Sequence, residues 1–352
     1  MKVAVLGAGA VGARVVRQLA STPSVLDITV ADRDPARASR LAASVGMPVR
    51  AQATGDQATG DQATGDQLTD QPEWVGDADV AVLAHGGGDH ARVGARLVEG
   101  GISVVSVSDG LDDVRGLLAL DARARDRDCV VVAGAGFAPG LSCLLAGHAA
   151  ASFDRVDEVH VAKVGTGGPD CARGHHQARG GDAYEWRDEQ WVRRRGGSGR
   201  ELCWFPDPVG PEDCYRASAA DALVLVPAFA GVRRVTSRVG AGRRDRLSAR
   251  LPMLRRPHRE ASLGAIRVEV RGRRDQEFDT AVLGAIDRPA VAAGVVAALT
   301  ALTLVEGRLA RTGAGGLAEL VGDRPAFLAE LARRGVKAAT FDGTVEVAAA
   351  GK

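Results

Sequence analysis

From Met1 to about Ser152 the chain alternates short apolar runs with segments of helical periodicity. The runs lie at Lys2–Leu6, Asp27–Ala31, Pro48–Ala51, Asp79–Ala84, Ile102–Val107 and Cys129–Ala133. Several carry Val, Ile and Ala at successive positions, so both faces are apolar, as in parallel strands covered on each side. Between them Ala10–Ala20, Pro35–Val45, His90–Glu99 and Leu111–Arg127 repeat apolar residues at helical spacing. Strands and helices in alternation, joined by right-handed crossovers, predict an α/β fold with a doubly wound parallel sheet.

After Ser152 the rhythm changes. Val156–Val164 alternates as a strand does, and Trp191–Arg193, Leu202–Trp204, Leu223–Val226, Val235–Val239, Ile266–Val270 and Thr280–Leu283 are further strand candidates. Strands in a run, without helices between them, predict a second, largely antiparallel α+β domain. A long apolar helix is expected at Pro289–Leu309, a shorter one at Ala326–Arg334 and a last strand at Thr340–Val347. A chain of 352 residues exceeds what one core usually serves. The expected division is therefore 1–152 for the first domain, 153–285 for a substrate domain, and 286–352 for C-terminal helices that return to the first. One segment breaks the pattern: Ala53–Gln67 is three tandem copies of Ala-Thr-Gly-Asp-Gln. A period of five is far too short for a solenoid unit, so the repeat reads as an expanded, flexible surface loop.

Composition narrows the class. Hydrophobic residues are 45% and charged residues 25%, ordinary values for a soluble globular protein. No run approaches the ~20 apolar residues of a membrane span, and the first strand begins almost at Met1, which leaves no room for a signal peptide. A cytoplasmic protein with no membrane partner is expected. The net charge of +1 sets up no field that would draw in nucleic acid. Only four of the 45 basic residues are lysines (Lys2, Lys163, Lys337 and Lys352), so a single arginine carries little weight. Lys163 is the lysine that stands apart from both ends. The arginine-rich 233–259 stretch has no interleaved aromatic residues and reads as a solvated basic hairpin rather than a nucleic-acid surface. Five scattered cysteines and seven histidines show neither a disulfide framework nor the ligand spacing of a metal site.

The first strand runs directly into Gly7-Ala8-Gly9-Ala10-Val11-Gly12, which opens a helix. In a dinucleotide-binding Rossmann unit the first glycine permits the tight turn, the second lets backbone approach a pyrophosphate, and the third lets helix and strand pack closely. The helix N-terminus then offers unpaired N–H groups to the phosphates. Asp32 ends the second strand, where a carboxylate accepts bonds from the adenosine ribose. The expected cofactor is NAD or NADP. Asp32 leans towards NAD, and Arg33 beside it leaves NADP open. Ala10 and Val11 complete the loop. After the fourth strand, His85 and Gly86 are candidates to approach the cofactor, with Asp89 as a helix N-cap. After the fifth, Asp109 is either an N-cap or a substrate contact.

After the sixth strand comes Gly-Ala-Gly-Phe-Ala-Pro-Gly-Leu-Ser-Cys-Leu-Leu, residues 134–145. This segment, with the amino-terminal glycine loop and Asp109 in the same order, resembles the signature of the saccharopine dehydrogenase (glutamate-forming) and carboxynorspermidine synthase superfamily. The resemblance covers roughly 1–152 and continues more loosely to Val164. It implies cofactor contacts at Gly7, Gly9, Gly12 and Asp32. It also implies that the turn holding Phe137, Pro139 and Gly140 lies where nicotinamide meets substrate. Members reduce an imine or oxidise the corresponding secondary amine, chemistry that needs a proton donor and cations for carboxylates. The candidates here are Lys163, able to hold a carboxylate or act as an acid if its pKa is lowered, then His175 and His176, with Arg173 for the substrate. The substrate domain is short and arginine-heavy, and the residues that bind saccharopine have no match in it.

Three functions follow as expectations. The first is an NAD(P)-dependent oxidoreductase of saccharopine dehydrogenase-like type, transferring hydride at a C–N bond of a small amino-acid-derived molecule. The second is a dehydrogenase acting on a C–OH bond of a small acid or sugar derivative. The third is a non-catalytic dinucleotide sensor. A homo-oligomer, most simply a dimer, is expected from the class.

Overall fold

A computed structural model describes residues 1–47, 49–54, 72–242 and 263–341. The repeat beyond Thr54, the arginine-rich stretch from 243 to 259 and the tail beyond Phe341 lie outside the described residues. The first domain is built from β1 (Lys2–Leu6), α1 (Ala10–Ala20), β2 (Asp27–Asp32), α2 (Pro35–Ala43), β3 (Val49–Ala53), β4 (Val80–Leu83), α3 (His90–Glu99) and β5 (Ser103–Ser106). It continues through α4 (Leu111–Leu118), α5 (Asp121–Asp126), β6 (Val130–Val132) and α6 (Leu141–Ala150). Its strands run parallel in the order β3-β2-β1-β4-β5-β6, so the direction of winding reverses between β1 and β4. The central strands are buried along their whole length, which is why their sequences are apolar on both faces.

The helix expected over Leu111–Arg127 is two helices. Asp121, at the start of the second, accepts from Ala314 N at 2.8 Å and pairs with Arg311, both from the far end of the chain. A tertiary contact, not propensity, sets that break.

The second domain comprises β7 (Arg155–Val164), α7 (Pro169–Gly180), β8 (Asp182–Arg187), β9 (Gln190–Arg195), β10 (Glu201–Trp204), β11 (Pro211–Arg216), α8 (Asp221–Leu225), β12 (Arg234–Gly240), β13 (Gly264–Arg274) and β14 (Glu277–Asp287). Its nine-stranded sheet follows β10-β11-β12-β7-β13-β14-β16, where β16 is Lys337–Phe341, with β8 paired to β12 and β9. Among the described residues, β12 and β7 pair in parallel and the remaining pairs are antiparallel. The strand expected at Leu223–Val226 is instead part of helix α8 and its first turn beyond. A four-residue apolar run fits a buried helix as well as a strand, and here Asp221 opens a helical turn tied to Ser142.

The chain then returns through α9 (Pro289–Val305), which lies against α1 and the adjoining strands of the first sheet. Next, β15 (Gly313–Gly315) joins that sheet as a seventh strand, parallel to β6. Two short helices follow, α10 (Leu317–Leu320) and α11 (Arg324–Arg333), and β16 (Lys337–Phe341) ends on the second sheet beside β14. Both α6 and α9 are apolar around almost their whole circumference, as helices enclosed by protein must be. No helix among the described residues is long and apolar enough to cross a membrane.

Because α6 packs on the second sheet and on α9, its side chains tie the domains together. Leu144→Ala, at a fully buried position, should cost about 2–5 kcal/mol in guanidinium unfolding. Leu202→Ala, on an exposed edge strand, should stay within about 0.5 kcal/mol.

Candidate active site

The dinucleotide turn is shaped by close approach. A Cβ on Gly12 would meet Gly7 O at 1.8 Å, and one on Gly7 (φ +110°) would meet the backbone of Ala84 and His85 at 2.6 Å. Around Gly9, by contrast, there is open space, and no side chain caps the N-terminus of α1. These are the conditions a pyrophosphate needs: backbone donors facing a cradle that any side chain at Gly9 would fill. The residues present therefore fit a dinucleotide. Asp32 accepts from Ala8 N at 2.7 Å through one oxygen and from Asp34 N at 2.9 Å through the other, so it braces the turn. Arg33 is exposed beside it. Ala10 and Val11 lie under the loop after β7, where a Cβ on Gly168 would come within 2.9 Å of Ala10 Cβ. The second domain thus closes over the glycine loop.

The loop after β4 is held by two stacked histidines, His85 and His90, with ring centroids 4.1 Å apart. His85 is not solvent-facing: its Nε2 meets Asp89 Oδ1 at 2.6 Å. Asp89 occupies the N-cap of α3, yet its carboxylate goes to His85 and Arg92 instead of making a capping bond. Gly86 lies against the Asp170 side chain. His90 is buried; its Nε2 donates to His85 O (3.0 Å) and its Nδ1 accepts from Ser106 Oγ (2.8 Å) in the neutral tautomer that satisfies both. Burial, with the neighbouring His85, pushes its pKa down to about 3.

The centre of the site is Asp109. It does not cap α4, whose N-cap is Gly110. Instead Asp109 Oδ2 accepts from Lys163 Nζ at 3.1 Å and from His175 Nε2 at 2.8 Å. Lys163 also donates to Ala138 O at 2.6 Å, in the Gly136–Gly140 turn, where the Ala138–Pro139 peptide is cis. Phe137, Pro139 and Gly140 are buried there. Strand β7, the loop after β5 and the loop after β6 therefore meet at one lysine.

Charge states follow from these contacts. Burial works to lower the Lys163 pKa, but Asp109 and Asp221 outweigh it and raise it, so the lowered value that an acid role requires is not found. Burial likewise opposes the charged form of His175, yet Cys171 and Asp109 push its pKa up to about 9. The same cations hold Asp109 well below the usual carboxylate range against its own burial.

Other candidates are placed differently. His176 is buried on α7, but the bond to Asp109 comes from its neighbour His175. Arg173 is exposed and pairs with Asp170 on its own helix. Sequence patterns missed Cys171, whose Sγ lies 3.7 Å from His175 Nε2. They also missed buried Asp221, which accepts from Ser142 Oγ at 2.7 Å. The i, i+4 spacing of Cys171 and His175 was a usable signal only once α7 was known to be a helix.

Residues 3–109 match the family described as "Saccharopine dehydrogenase NADP binding domain". The first domain is a saccharopine dehydrogenase-like NAD(P)-binding domain. It is the domain of an NAD(P)-dependent oxidoreductase. Among solved structures, the chain is similar to saccharopine dehydrogenase (L-Glu forming) from Saccharomyces cerevisiae, with a TM-score of 0.69 and 14% identity over 97% of this chain and 99% of that one. It is also similar to an amine dehydrogenase from Mycobacterium smegmatis, with a TM-score of 0.51 and 13% identity over 91% and 96%. These likenesses establish a shared fold. No curated protein sequence matches the chain.

His90 generates a pH prediction. The unfolded chain binds a proton on it below about 6.5 while the folded state does not. Its contribution is therefore whole above that pH and is lost as pH falls towards 3, by about 2 kcal/mol at pH 5. Denaturant unfolding at pH 7 and 5 should show a smaller pH loss for His90→Gln than for the parent; equal losses would remove the assignment.

Proposed function

We propose that the chain transfers hydride between NAD(P) and a C–N bond of an amino-acid-derived substrate. The observation that carries this reading is Asp109, bound at once by Lys163 Nζ and His175 Nε2 from the other domain, beside the dinucleotide turn. Gly7, Gly9, Gly12 and Asp32 would hold the dinucleotide, which supplies hydride exchange when bound. Lys163 keeps its proton between two carboxylates and acts as a fixed cation facing the substrate's acid group. His175 carries a proton at Nε2 in a shielded position and exchanges it with the substrate nitrogen. Asp109 keeps both in register. That the similar structures include a saccharopine dehydrogenase and an amine dehydrogenase supports C–N chemistry. NADP is favoured by the description of the matching family, and NAD by the carboxylate of Asp32.

A second reading has one observation in its favour. A lysine and a histidine sharing one carboxylate also suit oxidation of a C–OH bond, with the histidine taking the hydroxyl proton. The two are separated by whether turnover requires an amine co-substrate.

Pairs of amines and keto acids should be screened by NADH and NADPH absorbance. For an active pair, His175→Gln and Lys163→Met should lower kcat/KM by about 10²–10⁴-fold and leave dinucleotide affinity within about twofold. Wild-type turnover in both variants would sink the assignment.

A further inference from the structure

The geometry points to a zinc site in the same cluster, with Asp109, Cys171 and His175 as three ligands. Their ligand atoms all lie within 4.8 Å of one another. Cys171 and His175 are four residues apart on one face of α7, so helix geometry alone keeps them together.

The distances suit the ion. With Zn–S near 2.3 Å and Zn–N or Zn–O near 2.0–2.2 Å, ligand atoms around a tetrahedral zinc stand about 3.3–3.6 Å apart. Cys171 Sγ and His175 Nε2 are already 3.7 Å apart. His175 Nε2 and Asp109 Oδ2 are 2.8 Å apart because a proton lies between them. Losing that proton to solvent lets the pair open by roughly half an ångström. The thiol proton leaves in the same way, and the metal takes both lone pairs. A thiolate and an imidazole select zinc over calcium or magnesium. Asp109 and Cys171 are both partly exposed, which gives the ion a route in. Lys163, 3.1 Å from Asp109 Oδ2, would orient the carboxylate from outside the coordination shell.

Zinc and proton exchange both need the lone pair of His175 Nε2, so a bound ion stops the proton step. We infer that Zn²⁺ is a reversible inhibitor. This consequence rests on the role proposed for His175; the metal site itself does not.

The test uses Co²⁺ as a spectroscopic stand-in. Chelator-treated full-length protein should take up one equivalent, with a thiolate-to-cobalt band in the near ultraviolet and intense visible bands of four-coordinate cobalt, all displaced by Zn²⁺. Cys171→Ser and His175→Gln should lose the bands and weaken Zn²⁺ binding by at least the ~10–100-fold that loss of an outer-shell partner costs. Cys129→Ser and Cys203→Ser should keep them, with circular dichroism confirming the fold of each variant. No cobalt bands in the parent, or bands that persist in Cys171→Ser, would overturn the site. Cobalt bands together with zinc-insensitive turnover would overturn only the inhibition, and with it the role of His175.

Discussion

Everything in the proposed site depends on one carboxylate that serves two cations. Asp109 stands at the carboxyl end of β5, and both partners come from the second domain: Lys163 from β7 and His175 from α7. A lysine with 4% exposure is expensive to bury alone. It is tolerable here because Asp109, Asp221 and the Ala138 carbonyl surround its ammonium. The same arrangement keeps the proton on Lys163, whose pKa is raised by Asp109 and Asp221 against its burial. In the proposed reaction this charge balance gives different roles to Lys163, the leading candidate from sequence, and to His175, which sequence placed after it.

The fold supplies the rigidity that this balance needs. Helix α6 emerges from the Gly136–Gly140 turn and is buried against the second sheet, while α9 returns to lie on α1. The loop after β7 rests on Ala10 at the mouth of the dinucleotide turn. The dinucleotide turn, the Gly136–Gly140 turn and His175 are therefore fixed to one another by packed helices, not by loops alone. Ser142 shows how closely the turn and the second domain are joined, since its hydroxyl bonds to Asp221 at the start of α8.

Much of the first domain was legible from local pattern. Helices Ala10–Ala20 and His90–Glu99 have the limits their periodicity predicts, and the strands differ by a residue or two at their ends. The errors have physical causes. The Leu111–Arg127 helix breaks because Asp121 is recruited by Ala314 and Arg311. The apolar stretch at 223–226 folds as a helix because a run so short has no distinguishing period. His85 and His90 gave no sequence sign that they would stack.

By itself the sequence determined the alternating α/β architecture, the glycine turn with Asp32, and the candidate status of Lys163, His175 and Asp109. These depend on periodicity and on residue types at short spacing, which are local properties of the chain. Only the tertiary structure decided that Asp109 bridges rather than caps, that His175 rather than its neighbour His176 faces it, and that Cys171 joins them. Those choices depend on which way a helix is turned and on which domain it meets, and the interacting residues lie far apart in the chain. Their charge states are likewise set by burial and by partners that come together only on folding.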